Sequence, residues 1–105
     1  MSSELDRHPR HNVDDTLTAP LRLSIVAALC RVDNAEFAAI RDSLEVSDSV
    51  LSKQASLLEA AGYVKVQKGY VGKRPRTWLS VTARGRTALT NHLEALRAIV
   101  EGTDS

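Results

Sequence analysis

Only four aromatic side chains occur among the 105 residues, namely Phe37, Tyr63, Tyr70 and Trp78. An interior with so few rings must be packed from aliphatic side chains, and each ring then counts as a positioned residue. The single cysteine, Cys30, excludes an internal disulfide. It stands in the apolar run 25–30, so a buried, inert thiol is the reading ahead of a redox sensor. No run approaches the ~20 apolar residues of a membrane-spanning helix. The first residues carry no apolar signal-peptide core, and the expectation is a cytoplasmic protein. His8 and His11 stand three apart with no second pair of ligands nearby, which reads as solvated histidines and no metal site. Neither a paired acid and base nor a nucleophile spaced against a histidine is found, so the chain is read as no enzyme and is assigned no cofactor. His92 is read as lying on the exposed or interfacial edge of the last helix.

Net charge is equally sparse at +1, but it is unevenly spread. Residues 47–86 carry eight cations (Lys53, Lys65, Lys68, Lys73, Arg74, Arg76, Arg84 and Arg86) against only Asp48 and Glu59. Residues 1–46 carry five Arg against eight acids, and residues 87–105 carry Arg97 against three. Such asymmetry within one small domain is the footprint of a polyanion-binding face. A basic loop kept for solubility is the alternative, and the local excess favours contact with a polyanion.

Residues 1–16 are polar and lack an apolar period, which predicts a flexible arm; residues 102–105 read as a polar tail. A first helix is predicted from Pro20, a residue suited to the first helical position, through the apolar run to Cys30. Asp33 or Asn34 is expected to cap the second helix, with Glu36 completing a capping box and Phe37, Ile40 and Leu44 forming its apolar face. Ser47 is the N-cap of the third. There Leu51, Ala55, Leu58 and Ala61 share one face, which leaves Asp48, Ser49, Ser52, Lys53 and Ser56 outward, and Gly62 closes the helix. Alternation then predicts strands over 63–68 and 76–81, separated by a protruding loop, GYVGKRP, too long for a two-residue turn. Finally Thr82 caps a long helix in which Leu89, Leu93, Leu96 and Val100 follow a short heptad-like seam, serving the chain's own core or a partner helix.

The order has a physical logic. A helix enters the major groove only when its outward side chains are short or flexible enough to approach base edges. Ser47, Asp48, Ser49, Ser52, Lys53, Gln54 and Ser56 are therefore the candidate groove-contacting residues. Lys65, Lys68, Lys73, Arg74 and Arg76, on or beside the hairpin, are the candidates for phosphates or the minor groove. Arg84 and Arg86 oppose the dipole of the last helix, so each needs a compensating phosphate or acidic side chain. Trp78 is expected to pack under the hairpin.

The stretch VLSKQASLLEAAGYV resembles the recognition helix of winged-helix regulators of the MarR and ArsR type, and LSVTARGRTAL resembles the start of the helix that follows it there. With GKRPRTW between them, the resemblance spans about residues 17–101. It implies an α+β, mostly α fold with a three-helix core, a two-stranded wing and a long C-terminal helix that dimerises. The expected function is a dimeric transcriptional repressor on a palindromic double-stranded DNA operator. The resemblance further implies partner contacts through the first and last helices, here Leu21, Ile25, Leu89, Leu93, Leu96 and Val100, with room between them for a small-molecule effector. The cysteine and histidine clusters by which many ArsR-type proteins sense metals are missing. A winged-helix module docking an acidic protein is the alternative function.

Overall fold

The structure is a computed structural model and describes residues 7–102. Four helices, α1 (Pro20–Val32), α2 (Phe37–Leu44), α3 (Asp48–Ala60) and α4 (Ala83–Glu101), are joined by three strands, β1 (Asn34–Glu36), β2 (Val64–Val71) and β3 (Arg74–Val81). The strands form one antiparallel sheet in the order β1-β3-β2. Leu17, Ile25, Val26, Leu29, Leu51, Leu58 and Leu79 are the fully buried aliphatic residues at its centre. Burying each contributes roughly 1.5–3 kcal/mol, so the aliphatic interior expected from the scarcity of rings is sufficient to fix how α3 sits on the rest.

Four local expectations are corrected. Asp33 and Asn34 do not cap the second helix. Asp33 takes a left-handed φ of 70° and Asn34–Glu36 pairs with Ser80, Leu79 and Trp78, so α2 starts only at Phe37. Glu36 occupies the N-cap position without a side-chain cap bond, its carboxylate lying 3.3 Å from Arg76 instead. The hairpin likewise has no long loop: Val71 pairs with Arg74 across a two-residue turn at Gly72 and Lys73. Gly72 has φ 64°, which suits the first central position of a tight hairpin turn. Pro75 breaks no ladder, because β1 pairs β3 only at residues 78–80 and leaves the outer edge of β3 open at the proline.

The third correction concerns the N-terminal arm, of which residues 1–6 lie outside the described residues. Residues 9–17 are folded. Two short 3-10 turns, Pro9–Asn12 and Asp15–Leu17, pack on the body, with Pro9 and Leu17 buried. Asp14 anchors them. Its backbone N–H donates to His92 Nδ1 at 3.0 Å, one carboxylate oxygen accepts from Thr16 and Leu17 N–H, and the other accepts from the Tyr63 hydroxyl at 2.5 Å. His92 is therefore 1% exposed, not at an edge. Its face of α4 reads Gly85, Ala88, His92, Ala95, small residues that let the helix lie close to the body.

The bond to Asp14, with some desolvation, raises the Tyr63 hydroxyl above its ordinary pKa. A raised pKa means stability that is fully present below the unfolded value of about 10 and lost as pH climbs through the folded value. Tyr63→Phe is expected to lose on the order of 1 kcal/mol at pH 7, after allowance for partial exposure. Melting curves of the two proteins compared between pH 7 and 11 should show that gap closing above pH 10; a constant gap would mean that the hydroxyl bond is not its source.

Candidate nucleic-acid interface

The third helix is set by its two ends and its inner face. Ser47 is extended and its Oγ accepts from Val50 N–H at 3.2 Å. Leu51, Ala55 and Leu58 are buried, so Ser49, Ser52, Lys53 and Ser56 are turned outward and exposed. Gln54 departs from this face. It is half-buried, and its Oε1 accepts from Arg22 Nη1 at 3.0 Å, so it braces α3 against α1.

Between α3 and the sheet lies an open groove of about 480 Å³. Asp48, Ser52, Ser56 and Glu59 form one wall; Val66, Lys68, Thr77 and Leu79 form the other, with Phe37 at one end. Ser52, Ser56 and the wing cation Lys68 thus line a common space, whereas Ser49 and Lys53 do not line it. Both acids in it are engaged: Asp48 is paired with Arg41 at 2.8 Å, and Glu59 accepts from Val66 N–H at 3.4 Å. Arg41 also pairs with Asp42 and holds that carboxyl below its ordinary range. Arg41 was missed from sequence because it lies in the acidic first half, seven residues before the carboxylate it neutralises.

The wing cations do not form one surface. Side chains alternate across a strand pair, and the register sets Val64, Val66, Lys68 and Tyr70 with Val81, Leu79, Thr77 and Pro75 on the groove side. Lys65 therefore falls on the opposite side with Arg74, Arg76 and Trp78, while Lys73 sits in the turn. Arg76 is paired with Glu36 there, and Trp78 lies against Gly69, its ring 3.1 Å from where a Cβ would stand. Arg86 is spent on structure, donating to Cys30 O at 3.1 Å and pairing with Asp33; Arg84 lies over Gly62. A loop with unknown register could not disclose this division.

On α4 the predicted seam is turned outward: Leu93, Leu96 and Val100 are exposed, as is Ile99, while Leu89 is half-buried against the core. Leu21 is half-buried on α1. Ile25 corrects the expected partner surface, because it is fully buried in the chain's own core and has no area to offer another subunit.

The fold recurs in known proteins. A transcriptional regulator homologue from Pyrococcus horikoshii OT3 superposes with a TM-score of 0.79 over 98% of this chain and 96% of its own, at 28% identity. A MarR-family protein from Enterococcus faecalis V583, 22% identical, shares the fold with a TM-score of 0.66 over 82% of this chain and 76% of its own. In sequence, an uncharacterised protein of Methanocaldococcus jannaschii is 29% identical over 73 residues, 70% of this chain and 79% of that one. The family model described as winged helix DNA-binding domain matches residues 21–100, the span from α1 to the end of α4, and the chain belongs to that family.

Proposed function

We propose that the protein is a homodimeric transcriptional repressor that lays α3 in the major groove of a palindromic operator, with the wing over the adjacent backbone and minor groove. The observation that carries this is the shared groove, which Ser52, Ser56 and Lys68 line together. Short hydroxyls approach base edges, whereas the ammonium neutralises phosphate and releases counterions. The regulator homologue of Pyrococcus horikoshii supports the reading through its likeness along the whole chain. The bare apolar strip on α4 supports a second subunit, and two subunits side by side exclude other proteins from the duplex they cover, which is the repressor part of the proposal.

Selection from a random duplex pool tests the reading. The expected product is an inverted repeat with half-sites about 10 base pairs apart. On that product Lys68→Ala should reduce the slope of log affinity against log salt by about 0.9 per wing contacted, without a change in melting temperature. Failure to enrich any duplex, or a salt slope unaltered in Lys68→Ala, would sink the assignment; salt-sensitive capture of an acidic protein in place of DNA would favour a protein-docking module.

A further inference from the structure

Beyond Lys68 the groove face of the wing ends in an apolar pair that the fold does not use. Tyr70 pairs with Pro75 across the last rungs of the hairpin, and Tyr70 is 73% exposed. Val71, beside it in the strand, is 54% exposed. The ring and the proline, near the tip of the ribbon, are both largely exposed in the monomer. They are ringed by cations, with Lys68 two residues back on the same face and Lys73 and Arg74 at the turn. Cations around an apolar point suit a surface where negative charge flanks an apolar slot, and the minor groove offers this, with phosphates on both rims and sugar and base edges inside.

We propose that Tyr70, backed by Pro75, is a wedge that enters the minor groove next to α3, packs on sugars and base edges, and bends the duplex. The inference rests on the DNA-binding reading above and adds to it a residue whose work is apolar and shape-dependent. Lys68, on the same side of the ribbon as the ring, and Lys73 and Arg74 at the turn would supply the phosphate contacts beside it, while Lys65 projects from the opposite side. An aromatic hydroxyl is not required for a wedge, but the ring is.

The test uses the full chain and a duplex recovered by the selection, labelled with a donor and acceptor dye at its ends and with 2-aminopurine at adenine positions. Wild-type protein is expected to bend it by roughly 20–90° and to brighten 2-aminopurine at one step per half-site. Tyr70→Ala should bind about tenfold more weakly, lose most of the bend and the brightening, and keep the wild-type salt slope, since no phosphate contact is lost. Tyr70→Phe should behave as wild type. Lys68→Ala should do the reverse of Tyr70→Ala, with a shallower salt slope and a retained bend. Equal bending by wild type and Tyr70→Ala overturns the wedge while leaving DNA binding intact. A change of oligomeric state in Tyr70→Ala, with bending unaltered, overturns it in favour of a contact between subunits. If the wild-type protein binds no duplex, the DNA reading fails and the wedge falls with it.

Discussion

Gly85→Ala is expected to destabilise the protein by about 3 kcal/mol or more, and so to lower its melting temperature by roughly 15 °C if it folds at all. A Cβ at this position would stand 2.3 Å from the backbone oxygen of Tyr63 and 3.0 Å from Val81 Cγ2. The first of these is the decisive clash, because a carbonyl in the main chain has no rotamer by which to move away. That same oxygen accepts from Thr82 N–H at 3.0 Å, and Thr82 in turn caps α4 by accepting from Gly85 N–H at 2.9 Å. Relief of the clash therefore requires the whole first turn of α4 to separate from the α3–β2 joint. Calorimetry of the wild type and of Gly85→Ala measures the effect; a loss under 1 kcal/mol would mean that this joint is soft. Gly72→Ala is the control, since open space surrounds Gly72 and only its φ of 64° is unfavourable, at a cost near 1 kcal/mol.

Leu93→Glu combined with Leu96→Glu is expected to leave the fold intact and to abolish dimer formation, and with it at least a hundredfold of operator affinity. The two side chains are 49% and 36% exposed, so charging them removes little from the monomer core. In the proposed dimer they sit on the apolar strip completed by Ile99 and Val100, where buried carboxylates have no partner. In that proposed dimer each half-site would be held by one α3 and one wing, and the joined subunits would gain affinity from effective concentration, typically a factor of 10²–10⁴. Sedimentation and a mobility-shift titration on the selected duplex read both outcomes. A doubly substituted protein that remains dimeric would remove α4 as the contact surface. Ile25→Ala makes a contrast, since its cost of about 2–5 kcal/mol arises in the monomer core.

Much of the helical scaffold is legible in the chain because it rests on short-range signals. Ser47 followed by Leu51, Ala55 and Leu58 specifies both the start and the rotation of α3, and Thr82 marks the start of α4 in the same way. What was hidden depends on partners far apart in sequence. The strand Asn34–Glu36 is too short to alternate and is made of residues that rarely form strands; it exists because β3 supplies an edge to pair with. Gly69 and Pro75 look like loop punctuation, yet one makes room for Trp78 and the other lies on an open edge. The sharing of cations between two sides of the wing follows from a register that a misplaced turn conceals. The packing of residues 9–17 includes a bond between Asp14 and His92, 78 positions apart.

That bond gives the segment before α1 a mechanical role. Asp14 grips the middle of α4 with its main chain and the Tyr63 hydroxyl, just after α3, with its carboxylate. A version of the protein trimmed to begin at Leu17 would leave an imidazole nitrogen and a phenol without their tether, at the junction where α4, α3 and the ribbon meet. On the proposed reading, trimming there would alter the angle between α3 and the wing even with every candidate contact residue kept.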